Sequence, residues 1–163
     1  MVDTLIQAVR GLPPELAVFL LSALPVTELR ASLPAGITVF QLAPPIAFIL
    51  AIMGNLLPLP FVFLLLPPVV QFAERRWPAA HRLMDRYFRA LERKHRASYD
   101  KWGAVALFLF VAVPLPMTGV WTSSVLSILF GIRRSVAIAA IVGGVTTSAL
   151  IVLAITIGAL RLF

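Results

Sequence analysis

The chain has 163 residues, 60% of them hydrophobic and only 13% charged, and a mean hydropathy of +0.97. That is more apolar surface than a soluble core of this size could enclose, so the composition describes an integral membrane protein. The lack of cysteine excludes disulfides, thiol catalysis and thiolate metal sites, and the net charge of +7 is too concentrated in one segment, with no accompanying motif, to signal nucleic-acid binding.

Met1 to Gly11 reads as a short lead-in without the cleavage pattern of a signal peptide. From Leu12 an apolar run of about nine residues rises to Pro25-Val26-Thr27 and turns apolar again to Ile37. Nine helical residues cover about 14 Å, half of a ~30 Å hydrocarbon core, so this stretch fits a half-membrane hairpin better than a span. A single kinked spanning helix is the alternative. Thr27 is the expected N-cap of the returning arm, which contains Pro34. Pro44 to Val70 is long enough to cross, with an expected bend at Gly54-Asn55 and Pro58-x-Pro60 and an expected end at Pro67-Pro68.

Residues 71–101 form a polar interlude that carries nine of the fourteen basic residues. The positive-inside rule makes it cytoplasmic. Leu83, Tyr87 and Leu91 recur at helical spacing, and Arg82, Arg86, Arg89 and Arg93 fall on the other side. This predicts a surface-lying amphipathic helix with its arginines near anionic lipid headgroups. A solvated linker that only fixes topology fits the same residues.

The second half repeats the order of elements. Gly103 to Gly131 forms a hairpin broken at Pro114-Leu115-Pro116-Met117-Thr118, and Ser135 to Leu160 forms a second span with Gly143-Gly144 and Thr146-Thr147-Ser148 inside it. Proline ends the ascending arm, and Thr118 is the expected N-cap of the descending one. With Arg75-Arg76 and Arg133-Arg134 both cytoplasmic, the first hairpin opens outward and the second inward. The expected fold class is therefore an all-α membrane protein, a single domain built as an inverted repeat of two re-entrant helical hairpins. Each is followed by a transmembrane helix (12–70 and 102–163), and a basic amphipathic cytoplasmic helix joins the halves.

The two tips are expected to share a site near the midplane. With the termini, including Glu15, and the basic segment set aside, Glu28 is the one acid in the membrane-embedded halves, and Arg30 is close by; an ionisable residue at that depth is a functional hypothesis by default. On a regular helix the two would face different ways, which favours partners on other elements. Glu28 reads either as a protonatable coupling site or as part of a structural ion pair. Two helix N-termini and Arg30 at the tips would instead favour an anion. Trp121 either walls the site or anchors packing. No metal or cofactor is implied, and His81 and His95, both in the interlude, are not placed for catalysis. Two spans make a thin wall, so a homo-oligomer is expected, with the small residues of the last span as a contact face.

Together these blocks resemble the small multidrug export protein family of bacterial and archaeal membranes. Pro25, Glu28, Leu29, Arg30 and Pro34 match its first block, Gly54 and Asn55 its second, and Pro114, Leu115, Pro116, Thr118, Gly119 and Trp121 its third. Met117 stands where that pattern has glycine. The resemblance implies a plasma-membrane exporter of small amphipathic compounds rather than an enzyme. The architecture is also similar to that of DedA-type membrane proteins, which implies translocation of an anionic lipid carrier of the polyprenyl-phosphate kind. A non-transporting scaffold is the third expectation.

Overall fold

The computed structural model describes residues 2–76, 102–114 and 118–162. The expected amphipathic helix with Arg82, Arg86, Arg89 and Arg93, the two histidines, Pro116 and Met117 lie outside the described residues. Every regular element described is helical: α1 (Val2–Val9), α2 (Pro14–Ala23), α3 (Glu28–Thr38), α4 (Pro44–Leu56) and α5 (Pro58–Arg76), α6 (Trp102–Ala112), and α7 (Val120–Leu129) and α8 (Arg134–Leu162).

Proline sets most of the boundaries. Pro14, Pro44 and Pro58 stand at helix starts, where the missing amide costs nothing, and Pro114 follows the end of α6. The apolar run Pro44–Val69 is long enough to cross a membrane, as is α8. It breaks at Leu57, between α4 and α5, close to the expected bend. Its far end differs from expectation, because α5 runs on through Pro67 and Pro68 to Arg76. In an apolar surround, adjacent groups re-satisfy the carbonyls that such prolines free, so a helix there can continue past them.

Packing fixes where the short helices end. Ser22 on α2 donates a hydrogen bond to the Ala51 carbonyl on α4, and Gly54 lies so close to Phe19 and Ser22 that a Cβ would sit 2.9 Å from that of Ser22. Further down, a Cβ on Gly36 of α3 would sit 3.2 Å from that of Ala47. So α4 runs alongside α2 and against α3, and the α2–α3 turn is level with Gly54 to Leu56, near the middle of Pro44–Val69. The second half packs in the same way. A Cβ on Gly144 of α8 would sit 2.7 Å from that of Val111 on α6, and would also press on the Phe108 carbonyl. The end of α6 is thus level with the middle of α8.

The halves are joined by one buried cluster, which takes Val18, Leu29, Leu33, Ala47, Ala51, Leu59 and Phe63 from the first and Leu107, Val111, Val120, Ile141, Val145 and Ala149 from the second. Helix α3 packs on α8, and α5 packs on α7. Arg134, the first residue of α8, lies over the Phe63 ring at 5.5 Å, so the start of α8 meets the last third of the first apolar run. Ile49, Met53, Phe61, Leu64, Leu109, Leu150 and Ile155 are all exposed. On a soluble protein that surface would aggregate; on this one it faces lipid.

Candidate functional site

The α2–α3 turn is tight and irregular. The Glu28 amide donates to the Leu24 carbonyl at 3.0 Å, and Glu28 itself has a left-handed backbone, φ 46°. Left-handed geometry costs an ordinary residue roughly 1 kcal/mol and persists where its surroundings enforce it. That geometry lets the Glu28 and Arg30 side chains meet: Arg30 Nη1 lies 3.6 Å from Glu28 Oε2, with the side chains only 6% and 16% exposed. The expectation that residues two apart would face different ways fails because Glu28 is not on a regular turn. The same arginine crosses to the other hairpin, where Arg30 Nη2 donates to Thr118 Oγ1 at 2.7 Å.

The carboxylate of Glu28 lies directly against Gly119, where any Cβ would overlap it. Gly119 is the N-cap of α7. The side chain thus supplies a negative charge to the positive end of that helix. The place where two helix N-termini converge, expected to favour a bound anion, is occupied by the chain's own carboxylate. Contact also runs the other way, since Trp121 Nε1 of α7 donates to the Ala23 carbonyl at the end of α2 at 3.0 Å.

The threonines act differently from expectation. Thr27 stands at the N-cap of α3 as expected, yet its hydroxyl makes no cap bond there and donates back to the Leu21 carbonyl of α2. Thr118 sits one residue before the N-cap of α7, and its hydroxyl is 3.1 Å from the Val113 carbonyl beyond α6. Each threonine hydroxyl thus turns back to a carbonyl at or just past the end of the preceding helix; that of Leu21 also accepts from the Leu24 amide.

Of the residues singled out in the sequence, Glu28, Arg30, Thr118, Gly119 and Trp121 come together, with Thr27 beneath them. Pro25 is exposed at the turn, Pro114 ends the ascending arm, and Pro34 lies lower in α3. Asn55 is buried next to Gly54, and its Oδ1 has no hydrogen-bond partner. Ser32, Ser124 and Ser148 hydroxyls are buried and unpartnered in the same way; the sequence marked them only as serines within apolar helices. With Asn55 they put one such group on each of α3, α4, α7 and α8.

These features define a helical membrane protein with a buried ion pair where the α2–α3 turn meets the start of α7. The chain belongs to the family of putative small multi-drug export proteins, whose model matches residues 28–151. The match takes in the Glu28-Leu29-Arg30, Gly54-Asn55 and Pro114 to Trp121 blocks, and leaves Pro25 just outside. Its description is that of an exporter, a transporter rather than an enzyme. No curated protein and no solved structure matches the chain.

Proposed function

We propose that the protein exports small amphipathic compounds through a site at the two hairpin tips, with Glu28 as the proton-coupling group. The single observation that carries this reading is the buried Glu28–Arg30 pair bridged to Thr118. A buried ion pair is weak evidence for stability, since desolvation offsets most of the attraction. Its best use is as a switch. Protonation of Glu28 would release Arg30 and loosen the contact with Gly119, and the tips would then part.

The reading rests on an inverted repeat of re-entrant hairpins, and three likenesses between the halves support it. Gly54 and Gly144 each admit the ascending arm of their own hairpin. Thr27 and Thr118 each bond back to that arm. Arg30 and Trp121, each three residues past its threonine, each reach across to the other tip. In such transporters the site lies where broken elements meet near the midplane. The basic segment 71–101 would lie in the cytoplasm, and a second copy would complete the wall that two spans leave thin.

The experiment is efflux of a fluorescent lipophilic cation from proteoliposomes under an imposed pH gradient. Wild-type protein should give gradient-dependent efflux, and Glu28→Gln should lose the gradient dependence while still unfolding in one cooperative transition in detergent, at a midpoint lowered by the loss of Arg30's counter-charge. Unchanged efflux in Glu28→Gln would sink the coupling role. A polyprenyl phosphate that moves where the cation does not would favour an anionic lipid carrier instead; such a carrier would have to displace the Glu28 carboxylate from α7.

A further inference from the structure

A second feature lies away from the tips, at the far end of α6 and α8. A groove of about 440 Å³ runs between them, lined by Ala104, Val105, Phe108, Ser135, Ala139 and Ala140 among others. That volume is in the range of small-molecule sites, and the walls are almost wholly apolar. It opens on the lipid-facing surface, where Val105, Ser135 and Ala139 are exposed, so water is not its natural filling.

Basic residues adjoin the groove in the chain. Arg133 and Arg134 directly precede Ser135, and both are exposed. The first turn of α8 begins there, with the Arg133 carbonyl taking the first intrahelical bond from Ala137 at 2.9 Å, so the leading amides of the helix point outward as an anion site. Trp102, two residues before Ala104, is 66% exposed. Tryptophan is enriched at the level of lipid headgroups, which sets the depth of this end. Apolar walls, the exposed Arg133 and a helix N-terminus at one end, and an indole beside them fit one ligand chemistry.

We propose that the groove between α6 and α8 holds one anionic phospholipid, its acyl chain along Phe108 and Ala139 and its phosphate on Arg133 and the first turn of α8. The site is separate from the hairpin tips, so it stands or falls independently of the transport reading. Because α6 and α8 are both elements of the second half, the lipid would brace that hairpin against its span.

The test is thermal unfolding of the detergent-purified full chain with added phosphatidylglycerol or phosphatidylcholine. Phosphatidylglycerol should raise the midpoint of the wild-type protein and phosphatidylcholine should not. Ala139→Phe, which fills the groove from an exposed position, should abolish the rise. Arg133→Gln should weaken apparent affinity about fivefold, the worth of one basic residue near an anionic headgroup. Both variants should match wild type without lipid. Equal shifts with the two lipids, or a phosphatidylglycerol shift that survives Ala139→Phe, would overturn the proposal. So would Ala139→Phe splitting an oligomer in lipid-free detergent, which would make a second copy the occupant.

Discussion

At the scale of the residue, the contact that matters most is between a carboxylate and a glycine. Glu28 rests on Gly119 with no room for a methyl group. Gly119→Ala must therefore push Glu28 aside and weaken its meeting with Arg30. Overpacking of this kind costs about 1–3 kcal/mol, read as a lower thermal midpoint in detergent. The cause is specific, so the cost should largely vanish in a Glu28→Ala background, and additive effects in that double-mutant cycle would contradict the contact. Arg30→Ala should be worse, at about 3–5 kcal/mol, because it leaves a buried carboxylate without its counter-charge. The sequence pointed to Glu28, Arg30, Thr118 and Trp121 through residue type and motif. It could not give their bonds, because the left-handed turn at Glu28 and the backward-facing threonines depend on how the helix ends meet in three dimensions.

At the scale of the element, short helices are held level with the middle of long ones by glycine. A Cβ at Gly54 meets Ser22 and the Phe19 carbonyl, and one at Gly144 meets Val111 and the Phe108 carbonyl, whereas one at Gly158 meets nothing within 4 Å. Gly54→Ala and Gly144→Ala should thus each lower the thermal midpoint. Gly158→Ala should leave it level or raise it, since alanine is favoured over glycine within a helix by up to about 1 kcal/mol. A uniform response at all three positions would mean that glycine acts here only through helix propensity. Element positions were largely legible in the sequence because proline and glycine punctuate it, as at Pro44, Leu57-Pro58 and Pro114. Pro67-Pro68 misled for a physical reason: a proline in an apolar helix need not stop it where neighbouring groups re-satisfy the freed carbonyls, and α5 continues past the pair.

At the scale of the whole molecule, the first and second halves of the chain are joined by bonds that run both ways. Arg30 reaches from the first hairpin to Thr118, and Trp121 reaches from the second to Ala23. Element order made this pairing readable, whereas the crossed bonds required the two tips to be brought together in three dimensions. The central claim is that the hairpins enter from opposite sides of the membrane. Because the chain has no cysteine, single thiols can report on it cleanly. Val39 and Phe130 are the C-caps of the two returning arms, and both are exposed. The decisive measurement is labelling of Val39→Cys and Phe130→Cys with a membrane-impermeant maleimide in sealed vesicles of known orientation. The account predicts that Val39→Cys reacts from the outside alone and Phe130→Cys from the cytoplasmic side alone; reaction of both from one side would contradict it.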